Sequence, residues 1–172
     1  MSTASASDIL LARARALATP VVRDSAADAD DAIDFLVVLV DRERMAIPLD
    51  RIAAIARAST LVPLPRAVAP VHGVTSWRGR PLTVLTLSRH PPELRDESRF
   101  VVLGDARRVE VAVLVDAVDD TVRIGCASVT PVDASSRGAY AAGVTNDAML
   151  VLDVEALIRG HRNQAPATPN RG

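Results

Sequence analysis

The residues of this chain that could do chemistry are three histidines, one cysteine and a scatter of serines and aspartates. His72, His90 and His161 are too widely spaced to read as a metal-ligand motif, and only Cys126 could join them. Ser135 and Ser136 stand beside Asp133 in "DASSRG", but no strand-to-helix nucleophile elbow and no flanking glycine pattern would expose an activated hydroxyl there. A polar loop accounts for them. Asp116, Asp119 and Asp120 in "VDAVDDTVRI" supply carboxylates, yet a hard cation wants carbonyl ligands and a sharp glycine turn between them, whereas Val115 and Val118 intervene at strand-like spacing. Neither G-x-x-x-x-G-K-[ST] nor G-x-G-x-x-G occurs, so the glycine-rich phosphate cradles are missing. The expectation is no catalytic residue, no metal and no cofactor. The alternative is a small β-domain hydrolase or ligand-binding protein whose Ser, His and Asp meet only in space. Its mark would be a deep polar pocket with His72 or His90 beside a nucleophile.

What remains conspicuous is "VHGVTSWRGRPLTVLTL", Val71 to Leu87, which puts the only tryptophan, Trp77, beside Arg78 and Gly79 between two apolar runs. Tryptophan and arginine are the side chains most enriched where proteins bind one another, because a ring can be desolvated and a guanidinium makes forked hydrogen bonds. Two roles fit Trp77: it caps a small core with Arg78 stacked on it, or it faces a partner. On the strand after the turn, Leu82 and Val84 point one way and Leu85 and Leu87 the other, by the strand period of two. A strand apolar on both faces is packed on both, at a junction between subdomains or against a binding groove.

The elements that must hold these residues are mostly strands. From Phe35 onward, β-branched runs recur between charged or glycine-bearing turns. "FLVVLV" and "MAIPL" flank Asp41 to Arg44, "RFVVLG" and "VEVAVLV" flank Asp105 to Arg108, and "YAAGVT" and "MLVLDV" flank Asn146 and Asp147. Each pair predicts a hairpin, as do Val71 to Thr75 and Pro81 to Leu87, where Gly79 can take the positive φ of a tight turn. "IAAIARA", Ile52 to Ala58, fits either a helix or an extended segment. "VEALIRG", Val154 to Gly160, predicts a helix with Glu155 near its start, Arg159 near its end and Gly160 as its C-cap. Near the beginning, Ser7, Leu10, Ala14, Leu17 and Pro20 predict a short amphipathic helix, followed by an acidic linker, Arg23 to Asp34, that holds five aspartates. The organisation expected is residues 1–32 as helix and linker, 33–160 as the folded domain and 161–172 as a disordered tail.

Composition narrows the classes. At 172 residues the chain suits one domain or two joined subdomains, and with 49% hydrophobic but only 2% aromatic residues its core must be aliphatic. All 20 basic residues are arginine and are nearly cancelled by 21 acidic ones, and no basic block marks a nucleic-acid backbone site. A lone cysteine fits a reducing compartment. Arg13 and Arg15 interrupt the only early apolar stretch and no long apolar run follows, so no signal peptide or membrane insertion is expected and the cytoplasm is the expected location.

The order of these elements resembles the CheW-like domain family of bacterial chemosensory systems, from about Phe35 to Ile158. Four stretches carry the likeness: "FLVVLVDRERMAIPLDRI", "VHGVTSWRGRPLTVLTL" (similar to the family's G-V-x-N-x-R-G strand pair), "VAVLVDAVDDTVRI" and "AAGVTNDAMLVLDVEALI". The resemblance implies an all-β fold, mainly two packed five-stranded β-barrel subdomains, with the short amino-terminal helix and a carboxy-terminal helix beside them. It implies no catalysis and no cofactor. It also implies two partners, the regulatory domain of a CheA-type histidine kinase and the cytoplasmic tip of a chemoreceptor. By the same likeness Arg78 falls near the partner surface, Gly73, Val74 and Gly79 shape the strand pair, and Val115 with Asp116 belongs to the second barrel; with Ser76, Trp77 and Val84 these are the candidate protein-binding residues. Three positions depart from the family pattern. Ser76 replaces the asparagine, Thr83 to Leu87 lack the P-x-x-D-L that commonly follows, and Trp77 stands where an aliphatic residue is usual.

Overall fold

The structure, a computed structural model, describes residues 31–90, 93–104, 108–132 and 140–164. The expected amino-terminal helix and linker up to residue 30, and the tail from 165, lie outside the described residues.

Twelve strands and one helix follow in order among the described residues: β1 (Ala32–Val40), β2 (Glu43–Pro48), β3 (Ile52–Arg57), β4 (Val62–Pro63), β5 (Val71–Trp77), β6 (Arg80–Thr86), β7 (Arg99–Gly104), β8 (Val109–Val115), β9 (Ala117–Gly125), β10 (Val129–Pro131), β11 (Ala141–Thr145), β12 (Leu150–Leu152) and α1 (Val154–Gln164). They form two six-stranded sheets, β10-β11-β12-β2-β1-β9 and β3-β7-β8-β6-β5-β4. Each sheet is two antiparallel three-stranded halves joined by one parallel pair, β12 with β2 in the first and β6 with β8 in the second. The all-β, two-subdomain expectation holds. The strand count is six per sheet because the very short β4 and β10 add an edge to each, and the strand order of both sheets is open.

Strand parity explains how so aliphatic a chain packs. On β1, Leu36, Val38 and Val40 enter a large core between the sheets, while Phe35 and Val37 enter a smaller core on the far side of the first sheet. The second sheet does the same: Leu85, Val101 and Val113 face the shared core, and Val84, Val102 and Ala112 face a small core of their own. Successive side chains point to opposite faces, so a strand apolar throughout is buried on both. The expectation for β6 is met on this basis, with Leu82 and Val84 in the small core and Leu85 and Leu87 at the junction.

"IAAIARA" resolves as a strand. The pairing of Ile52 to Arg57 with β7, and the fit of Ala54 against the small core, override the helical preference of alanine. The helix α1 starts where expected: Asp153 Oδ1 accepts the Ala156 N–H at 2.8 Å, an N-cap, and Leu157 is fully buried in the shared core. Its end differs from the expectation. Gly160 lies inside the helix, which runs on to Gln164, so residues 161–164 are folded rather than tail. The reason for glycine there is close approach, since a Cβ would sit 3.0 Å from Tyr140 Cε1. Salt bridges from Arg51 to Glu155 and from Arg162 to Glu110 fasten the two ends of α1.

Candidate interaction surface

The hairpin β5–β6 is built by its tip. Trp77 pairs with Arg80, leaving Arg78 and Gly79 as a two-residue turn with φ +49 and +77. That left-handed pair is the backbone that matches the right-handed twist of the flanking strands. Glycine adopts it freely, whereas arginine does so at a cost.

Parity then divides the expected site residues into two groups. Gly73, Thr75 and Trp77 are registered with Val84, Leu82 and Arg80, on the face that covers the small core. Val74 and Ser76 are registered with Thr83 and Pro81 on the opposite face, the one that carries Leu85 into the junction further along β6, and Val62 of β4 lies across from Val74. Directly opposed residues share a face, so Val62, Val74 and Thr83 form one cross-strand row with Ser76 and Pro81 beside it. Val62 is 59% exposed. Arg78 is exposed at the tip of the hairpin, its Cζ 5.3 Å from the centroid of the half-buried Trp77 ring. The tryptophan thus packs on the core and presents one side to the guanidinium, a cation–π contact.

Three expected contact residues are corrected by this geometry. Val84 is fully buried and Val115 is 1% exposed, each within a core, so neither side chain lies at the surface. Gly73 is buried because β4 crosses it closely: a Cβ there would lie 2.4 Å from the Val62 carbonyl oxygen. It shapes the hairpin instead of touching a partner. Asp116 is far from the tip in role as well as in chain. It joins β8 to β9, where the chain crosses between sheets, and its Oδ2 accepts the Asp41 N–H at 2.8 Å.

That hydrogen bond belongs to a polar knot at the other end of the β5–β6 hairpin. There a cleft of about 600 Å³ opens between the sheets, lined by Val40, Met45, Leu87 and Leu150 among others, with Asp41, Ser88 and His90 at its polar side. Ser88 Oγ donates to Asp41 Oδ1 at 2.7 Å, and the Arg89 backbone N–H donates to Asp41 Oδ2 at 2.7 Å. Burial pushes the Asp41 carboxyl up, but these two hydrogen bonds and the charges of His90 and Arg89 outweigh it and hold its pKa below the ordinary aspartate value. Sequence reading placed Asp41 in a turn and missed this role, because its partners are 47, 48 and 75 residues away.

A serine beside a carboxylate raises the question of a hydrolase. The geometry argues against one: a carboxylate held in its charged form is a weak base, and Ser88 is contacted by the His90 backbone N–H at 3.0 Å and not through the imidazole. The aspartates do not converge either. Asp119 lies 3.6 Å from Arg44, and Asp120 accepts the neighbouring Thr121 N–H. Among the described residues no group of three His, Cys, Asp or Glu side chains could hold a metal ion, and no helix is long and apolar enough to cross a membrane. Ser135, Ser136 and Asp133 lie outside the described residues.

Comparison with known proteins bears on the same elements. Residues 34–162 match the CheW-like domain family. The chain is 31% identical over 156 residues to Protein FrzA of Myxococcus xanthus, covering 84% of this chain and 97% of that one. It is 30% identical over 100 residues to Chemotaxis protein CheW of Thermotoga maritima, covering 57% of this chain and 66% of the other. In fold it is similar to the crystal structure of the scaffolding protein TtCheW from Thermoanaerobacter tengcongensis, with a TM-score of 0.57, 16% identity, and coverage of 70% of this chain and 86% of that one.

Proposed function

The chain belongs to the CheW-like domain family, and from that membership we propose that it is an adaptor coupling chemoreceptors to a CheA-type histidine kinase in a bacterial chemosensory array, serving chemotaxis or pilus-type motility. Members of the family are scaffolds, and this chain is not an enzyme. Its partners on this reading are the regulatory domain of the kinase and the cytoplasmic tip of a receptor, which would meet it in the cytoplasm.

The observation that carries the reading is the Arg78–Gly79 tip. It presents an exposed guanidinium, braced on Trp77, at the tip of the hairpin whose opposite face carries the row of Val62, Val74, Ser76, Pro81 and Thr83. A planar cation at the margin of a partly apolar face is the composition of an interface anchor. The strand pair beneath it is held rigidly by two cores, which suits a part that must keep partners at fixed spacing.

The test is charge reversal. Arg78→Glu removes only the exposed contact with Trp77, so the thermal midpoint should fall by no more than a few degrees while co-purification with the cognate kinase is abolished. Retained co-purification would remove Arg78 from the contact.

A further inference from the structure

The polar knot around Asp41 draws on both sheets at once. Asp41 is at the β1–β2 tip of the first sheet, whereas Ser88 and Arg89 follow β6 of the second, and each carboxylate oxygen accepts from one of them. The Asp41 N–H is bound in turn by Asp116, whose own N–H donates to the Leu39 carbonyl at 2.8 Å. The remaining hydrogen bonds of the segment leaving β6 stay on its own side: Thr86 N–H to the Pro70 carbonyl, Ser88 N–H to Thr86 Oγ1 and His90 N–H to Ser88 Oγ, whose single proton has the His90 carbonyl at 2.8 Å as its other acceptor. Among the described residues, a single side chain therefore provides the polar tie between this segment and the first sheet.

Asp41 also holds φ +51 without being glycine, and Arg42 after it holds +67. Non-glycine residues persist in such conformations where the surroundings over-determine them. The same atoms form one side of the inter-sheet cleft, which Val40, Met45, Leu87 and Leu150 line together with polar groups.

We propose that the Asp41 carboxylate is a latch, which fixes the cleft at its observed width by clamping the segment that leaves β6 to the tip of the first sheet. While both oxygens are occupied the two sheets move as one body at this end. Removing the charge frees the 86–90 segment and opens the cleft, leaving the shared core intact. The latch stands whether or not the chain couples a kinase to a receptor.

Amide hydrogen exchange on the full chain tests this. Asp41→Asn keeps the size of the side chain but loses the charge and one of its two acceptors. The Arg89 amide should then exchange about tenfold to a hundredfold faster, the range expected for losing a charge-assisted hydrogen bond, with Val101 and Val113 unchanged. Equal protection of Arg89 in both proteins overturns the proposal, as does an equal acceleration at Val101 and Val113, which would report global destabilisation. Ser88→Ala, which removes a single donor, should accelerate the same amide by a smaller factor; no acceleration counts against the latch. For the cleft itself, a Leu87→Cys thiol in a Cys126→Ser background should react with a bulky maleimide about tenfold faster once Asp41 is asparagine, in line with a local opening. An unchanged rate overturns the opening.

Discussion

Replacing Arg78 by asparagine separates what the tip does for folding from what it does for binding. Arg78 sits at φ +49 in a two-residue turn completed by Gly79, so Arg78→Asn creates the Asn-Gly pair that such turns favour. An ordinary side chain in the left-handed region costs about 1 kcal/mol or more, and asparagine avoids much of that cost. Against this stands the cation–π contact over Trp77, seen at 5.3 Å and contributing about 0.5–1 kcal/mol at an exposed site. The two terms nearly cancel or leave a net gain of up to about 1 kcal/mol, a rise of a few degrees in Tm. Urea unfolding followed by circular dichroism measures this without relying on Trp77, whose surroundings the substitution alters. The expected variant is as stable as the parent or slightly more so, and fails to co-purify with the kinase. A loss of more than about 1 kcal/mol would refute the reasoning, since it exceeds what the cation–π contact supplies. The guanidinium would then be a structural staple, and its exposure would say nothing about partners.

Other perturbations have equally definite outcomes. Gly73→Ala drives a Cβ to 2.4 Å from the Val62 carbonyl oxygen, so β4 should detach at a cost of about 1–3 kcal/mol. Exchange at the Leu64 amide, which donates to the His72 carbonyl at 3.1 Å, should accelerate more than exchange in β7. His161 titrates below its usual 6.5, because burial disfavours the charged ring and Arg162 adds to that while Glu110 opposes it. Its buried Nδ1 has no hydrogen-bond partner among the described residues. The unfolded chain therefore takes up the proton first, so the contribution of the neutral ring is complete above pH 6.5 and is lost as pH falls through the lower folded value. Denaturation midpoints between about pH 7.5 and 5 should fall in the parent and fall less in His161→Leu, and parallel profiles would show that other groups control that window.

The hairpins were legible because their signals are local. Apolar runs flank Asp41, Arg78, Asp105 and Asn146, and the pairs β1–β2, β5–β6, β7–β8 and β11–β12 form across them. Strand period is equally readable: counted outward from the Arg78–Gly79 turn, alternation alone separates Val74 from the small-core face that carries Val84. What the sequence hid was long-range. The strand nature of Ile52 to Arg57 depends on pairing with β7, far along the chain, the place of Gly160 depends on Tyr140, and the role of Asp41 depends on Ser88, Arg89 and Asp116. No local propensity encodes such encounters. The interface residues were legible only as a cluster of unusual types around Arg78, and geometry was needed to divide them into those that pack and those that can touch a partner.

The doubly buried strands have one further effect. In a sheet with one wet face, a slip of one residue throws the apolar set into water, and hydrophobicity alone guards the alignment. Here Leu36, Val37 and Val38 are all buried, as are Val101, Val102 and Leu103. A slip on these strands would trade one aliphatic side chain for another at little loss of burial. Alignment of β1 with β2 and of β5 with β6 must therefore be kept by the turns: two residues at Asp41–Arg42 and two at Arg78–Gly79, each held in the left-handed region. The interior can then drift among Val, Leu and Ile with modest penalty. Errors at the tips are what would let the chain fold out of step.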